Sequence, residues 1–146
     1  MNAKRQLAHR LILAAVLILP ACSASAGGVT TASSGNVAAA TATATLPAIA
    51  ATSQLPAGTW EVTAFEITAS GATAAIVVSP TITGLLGGTM TLTFSAPAGV
   101  LAGATPLIAH FNPPLDGIPG QAIVLSMPTL GSGNTNATVV LHGFSK

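Results

Sequence analysis

One cysteine, Cys22, and no tyrosine occur in the 146 residues of the chain. A single thiol cannot close an intrachain disulfide, so a domain stapled by several bridges is excluded. Charge is scarce as well, with 5% of residues charged and 3% aromatic. Three of the four basic side chains, Lys4, Arg5 and Arg10, lie at the amino-terminal end. Without residues 1–21 there remain Lys146 against Glu61, Glu66 and Asp116, and the side-chain sum moves from +1 to −2. One cation cannot neutralise a row of phosphates, which argues against nucleic-acid binding and against a polybasic membrane-surface site. Solubility then depends on hydroxyls and amides, which give little mutual repulsion, and self-association is open to the chain.

Long apolar runs are also missing. Residues 11–19 are apolar without interruption and stop at the helix-breaking Pro20, too short for a hydrocarbon core that needs about 20 residues. Behind the basic amino terminus such a run reads as the h-region of an export signal. Leu19-Pro20-Ala21-Cys22 resembles the lipobox of bacterial lipoproteins, with Pro20 standing where a small or aliphatic residue is usual. The resemblance implies a diacylglyceryl group on Cys22 as the mature amino terminus, and anchoring in the bacterial cell envelope, at the outer membrane or in the periplasm. The alternative is cleavage after Ala24-Ser25-Ala26 by ordinary signal peptidase, which leaves a periplasmic or secreted chain starting at Gly27.

Residues 22–54 are almost all Ala, Thr, Ser and Gly. So few large apolar side chains cannot offset the entropy of ordering, and a flexible linker is expected. Residues 40–45, ATATAT, alternate with period two and could add to a sheet edge, but alanine has little to pack there. A domain of 92 residues, 55–146, follows the turn-like Leu55-Pro56-Ala57-Gly58. That size supports one modest core.

Strand candidates recur through this domain. In residues 59–68, TWEVTAFEIT, the alternation that turns Trp60 and Val62 inward puts Phe65 and Ile67 on the wrong parity. A β-bulge near Ala64-Phe65 restores all four to the core and turns Glu61, Thr63, Glu66 and Thr68 outward. Residues 72–79 are apolar on both parities around Ile76-Val77-Val78, as an interior strand covered on both faces would be. Residues 89–95, TMTLTFS, alternate without error, Met90, Leu92 and Phe94 inward. Residues 105–111 form another candidate, ended by Asn112-Pro113-Pro114 and the turn at Asp116-Gly117. Residues 121–127 and 136–144 are expected to pair as a hairpin across Gly131-Ser132-Gly133-Asn134-Thr135. Six or seven strands and no amphipathic helix beyond the signal predict an all-β fold, a small antiparallel β-sandwich of immunoglobulin-like or short-barrel type.

Few residues offer chemistry. His110 and His142 fall on strands, and Glu61 and Glu66 on another, so a mixed His and carboxylate metal site is formally available, but no paired spacing fixes one. Glu61 and Glu66 face solvent and do not form an acid–base pair in a pocket. Ser126 has no nucleophile elbow around it. Gly131-x-Gly133 reads as a turn, and the sequon Asn136-Ala137-Thr138 as chance in a chain with a bacterial-type signal. Gly58-Thr59-Trp60 resembles the G-x-W that opens the first strand of lipocalins, where the tryptophan closes a ligand barrel. The match covers three residues, and an eight-stranded barrel wants more chain than this domain has. Short lipoprotein domains of the META type open on a similar strand, but their cysteine has no counterpart in residues 55–146.

The expectation is therefore an exported, lipid-anchored, non-enzymatic envelope or surface domain that acts in binding or assembly, with no catalytic residue, metal or cofactor. Its partners would be the membrane, through the lipid on Cys22, and a protein or a second copy of itself. Leu85, Leu86, Val100 and Leu101 sit in loop-like stretches where they would form an apolar contact patch. The alternative is a calycin-like carrier of a small apolar ligand held between the sheets. An enzyme working through His110, His142 and Asp116 ranks third, because catalytic constellations carry more positioned polar groups than this.

Overall fold

A computed structural model describes residues 28–70, 73–99, 104, 106–131 and 136–146. Among these residues every regular element is a β-strand: β1 Thr30–Ser33, β2 Ala42–Leu46, β3 Trp60–Ala69, β4 Ile76–Val78, β5 Thr81–Thr83, β6 Met90–Thr91, β7 Phe94–Ala96, β8 Leu107–Asp116, β9 Ile123–Met127 and β10 Ala137–Ser145. All recorded pairings are antiparallel. A first sheet has the order β1-β10-β3-β8, a second the order β2-β9-β5-β6, and β4 and β7 form a separate ribbon. The two four-stranded sheets face each other across one apolar core, a small β-sandwich.

The centre of the first sheet follows from one extra residue. In β3 Trp60, Val62, Phe65 and Ile67 are buried and Glu61, Thr63, Glu66 and Thr68 are half-buried on the other side. The parity changes at Thr63: against β10, Ala64 is opposite His142 and Val62 is opposite Gly143. The expected bulge is present, one position earlier than Ala64. Gly143 is needed beside it, because a Cβ there would lie 2.8 Å from the Glu61 carbonyl oxygen and 3.0 Å from a Leu46 methyl. Against β8, residues 111–114 all lie opposite Thr63, between the pairs Val62–Leu115 and Ala64–His110. The strand expected to end at Asn112-Pro113-Pro114 therefore runs on to Asp116. β8 can carry two prolines because it is an edge strand, where a missing N–H costs no ladder bond.

Four other expectations are corrected. The stretch read as linker holds β1 and β2, and Ala42, Ala44 and Leu46 are fully buried against the core. Their partners on β9 explain this: Met127, Leu125 and Ile123 stand opposite them and supply the bulk that alanine lacks. Residues 76–78 are not an interior strand but half of the ribbon, and Val77 is exposed. Residues 89–95 alternate as expected, Phe94 buried and the four hydroxyl residues exposed, but the run is broken at Leu92, whose N–H donates to the Pro80 carbonyl. Its first half pairs with β5 and its second with β4. Finally, β9 and β10 are not a hairpin: β9 belongs to the second sheet and β10 to the first, so the chain between them crosses from one layer to the other.

The registers sort the loops onto two ends. Thr30, Leu46, Trp60, Thr83, Asp116 and Ser145 all lie at one end, which we call the near end. It is closed by backbone bonds between loops, Gly117 N–H to the Trp60 carbonyl, Leu86 N–H to the Asp116 carbonyl and Ile118 N–H to the Gly84 carbonyl. The Trp60 indole N–H donates to the Pro47 carbonyl at 2.6 Å, so the single tryptophan is pinned to the β2–β3 connection.

Candidate functional site

The ionisable side chains of the described residues gather on one surface. Glu61 and Glu66 on β3, His110 and Asp116 on β8 and His142 on β10 all point away from the core on the outer side of the first sheet, and Lys146 follows β10 directly. Five of these six, all but His110, engage one another. The Lys146 ammonium donates to Glu61 Oε1 and lies 4.0 Å from Asp116 Oδ1. That hydrogen bond first, then the charges of Glu61 and Asp116, raise the Lys146 pKa above its ordinary value. His142 has Thr31 Oγ1 3.0 Å from Nδ1 and Glu66 Oε1 3.9 Å from Nε2.

His110 and His142 are brought to the same row of the sheet, both opposite Ala64 on the strand between them. Ala64 is buried there without being part of the inter-sheet core. Two strand spacings, about 10 Å, separate the two histidine backbones. Among the described residues no group of three His, Cys, Asp or Glu side chains is placed to hold a metal ion. Glu61 and Glu66 do not converge either, since Glu61 is bound to Lys146 and Glu66 leans toward His142. Asp116 is at the near end, away from the histidine row.

The outer side of the second sheet is different. Thr43, Ser126, Thr81 and Thr91 stand in one row across β2, β9, β5 and β6, and Thr45, Val124 and Thr83 in the next. No charged group interrupts either row. Buried Ala44, Leu125 and Ile82 alternate with them on the core side.

The contact patch is only partly where the sequence placed it. Leu86 is 66% exposed, but Leu85 is 5% exposed and packs in the core; its backbone bridges to Gly117. Leu85 is therefore mostly core, and what it still exposes lies in the wall of the groove described next. Just before Leu85, Gly84 turns the chain with φ +83° so close to the Ala122 carbonyl that a Cβ there would lie 2.1 Å from its oxygen. Val100, Leu101 and Cys22 lie outside the described residues. Beside Leu86 the structure adds what the sequence did not suggest, an open groove of about 590 Å³ between the β5–β6 loop and the end of β8. Leu85, Leu86, Met90, Pro114 and Leu115 give it an apolar lining and Asp116 closes one rim. It forms because β8 bulges at residues 111–114 and the Gly87-Gly88 turn carries no side chain to fill the space. The missing signal was a strand that runs through two prolines to Asp116 instead of ending at them.

Comparison with known proteins finds no family model, curated protein or solved structure that matches the chain. No helix among the described residues is long and apolar enough to cross a membrane.

Proposed function

We propose that the chain is an exported, lipid-tethered, non-enzymatic β-sandwich of the bacterial cell envelope that works through surface contact, in binding or assembly. The observation that carries this is the apolar groove beside exposed Leu86, at one end of a body whose carboxylates, Lys146 and His142 are engaged with each other, with Asp116 at the groove's rim. An open apolar rim suits contact with a partner surface; paired, outward-facing carboxylates and histidines do not suit a reacting centre. The export signal and the lipobox-like Cys22 supply the tether.

The test has two parts. The mass of the mature chain is expected to correspond to an amino terminus at Cys22 carrying lipid, and an unmodified start at Gly27 overturns the tether. Sedimentation over a concentration series is expected to show association of the domain that Leu86→Ser weakens. A parent that stays monomeric and ignores this change in pull-downs from envelope fractions overturns the contact reading.

A second reading is favoured by the groove itself. Its volume falls in the range of about 300–1,000 Å³ typical of small-molecule sites, so a carrier of a small apolar ligand would hold it there, at the near end and not between the sheets. Native mass spectrometry separates the two: a retained small ligand favours the carrier, and a ladder of oligomers favours assembly.

A further inference from the structure

The exposed apolar side chains are not spread evenly. Of the five large ones among the described residues, Val29, Leu55, Val77, Leu86 and Ile108, three belong to the near end. Val29 precedes β1 at Thr30, Leu55 is on the β2–β3 connection, and Leu86 is on the β5–β6 loop. All three segments enter or leave strands at that end, and the groove opens there too. The same end receives the chain from its amino-terminal side. β1 and β8 are opposite edges of the first sheet, three strand spacings apart, about 14 Å. From Cys22 to Thr30 the chain spans eight residues, which extend at most about 28 Å. Any tether at Cys22 therefore reaches every point of the near end and holds it at a high effective concentration next to whatever Cys22 is attached to.

Resting on the lipid-tethered reading above, we infer that the near end is a membrane-docking end: Val29, Leu55 and Leu86 enter the bilayer interface, and the groove takes an acyl chain of the bilayer. The occupant is a lipid surface because the apolar side chains stand singly on three separate segments spread across an end that also carries an open groove beside Leu86, where shallow insertion suits each. The charge pattern agrees with a zwitterionic surface. Lys146 is balanced at that end by Glu61 and Asp116, so the end has no net positive charge with which to seek anionic lipid. Docked this way, the strands stand across the membrane plane, and the outer sides of both sheets, the histidine row and the hydroxyl rows, stay clear of the bilayer.

The experiment compares amide hydrogen exchange of the full-length mature chain bound to phosphatidylcholine vesicles with that of its Cys22→Ala form in solution. Exchange of residues 84–90 and 54–56 is expected to slow roughly tenfold on the vesicles while β2 and β5 stay unchanged. Leu86→Asp, at an exposed position that leaves the core intact, is expected to remain vesicle-bound through its lipid and to lose that protection. A wild-type chain held on the vesicles with unchanged exchange at residues 84–90 overturns the docking end and leaves the tether standing. A mature chain that carries no lipid and ignores the vesicles overturns both. A Cys22→Ala chain that still binds the vesicles, with the same loops protected, supports docking without the tether.

Discussion

The outer sides of the two sheets obey the same rule and carry opposite chemistry. In both, every second residue is committed to the core, Trp60, Val62, Phe65 and Ile67 in one and Ala44, Ile82, Leu125 and Met127 in the other. The positions between are free of that constraint. On the first sheet they hold the carboxylates and histidines of the described residues; on the second they hold Thr43, Thr45, Thr81, Thr83, Thr91 and Ser126 around Val124. The difference teaches where each side is protected. The first sheet's edge strand β8 is irregular and carries Pro113, Pro114, His110 and Asp116, features that discourage another chain from adding to it. The second sheet's edge strand β2, ATATL, has no charge, proline or bulge. Strand addition is thus discouraged at the β8 edge but at neither β2 nor β1, since β1, TTAS, also has no charge or proline.

The strongest way to break this comparison is through the core that both sheets share. Phe65 is 1% exposed and its ring centroid is 5.9 Å from that of Phe111. Phe65→Ala is expected to cost about 3–5 kcal/mol, and Ile82→Ala in the second sheet about 2–5 kcal/mol. Urea denaturation should show one transition shifted in each case. Two separable transitions would mean that the sheets are independent bodies and that their outer sides cannot be compared as parts of one fold.

A second experiment addresses the uncharged edge. Thr45→Lys puts a charge on the solvent side of β2 and is expected to reduce several-fold, in sedimentation, the part of self-association that Leu86→Ser leaves, whereas the same change at Thr68 on β3, in the interior of the first sheet, is expected to leave that part unchanged. Equal effects at the two sites would move the associating surface elsewhere.

The third concerns the paired side. Because the Lys146 pKa is raised in the folded chain by Glu61 and then Asp116, its contribution to stability is fully present below the unfolded value near 10.5 and is lost as pH rises through the higher folded value. The melting temperatures of the parent and of Lys146→Met are therefore expected to begin converging above pH 10.5 and to coincide once the pH exceeds the raised folded value. A difference that persists there would not come from the ion pair. The smallest effect is expected from the hydroxyl side, where Thr43→Val should change stability by less than about 0.5 kcal/mol, since the residue is exposed.

Alternation made most of the first sheet legible. The parity conflict at Phe65 announced the bulge, and the inward set of β3 followed from it because a strand cannot bury a glutamate as cheaply as a phenylalanine. The same logic misjudged β2. A column of alanines has the composition of a tether, and only the large side chains of β9 standing opposite make its burial worthwhile. It also misjudged β9 and β10, since two strands that alternate in step are equally suited to lie side by side in one sheet or face to face across a core. The groove was invisible for a related reason. It is made by residues from β8, β6 and the loop after β5, none of which is unusual alone.

By itself the sequence determined the class of the fold, the absence of an intrachain disulfide, the inward set Trp60, Val62, Phe65 and Ile67 of β3, and the inward face of Phe94 in β7. These follow from local quantities: side-chain period and the cysteine count. Tertiary structure alone decided that Leu85 is core while its neighbour Leu86 is surface, that the histidines share a row, and that the amino-terminal side, the groove and three exposed apolar side chains meet at one end. Those facts depend on which strands are neighbours, and strand order is set by the packing of distant segments against each other, a sum over the whole core that no window of sequence contains.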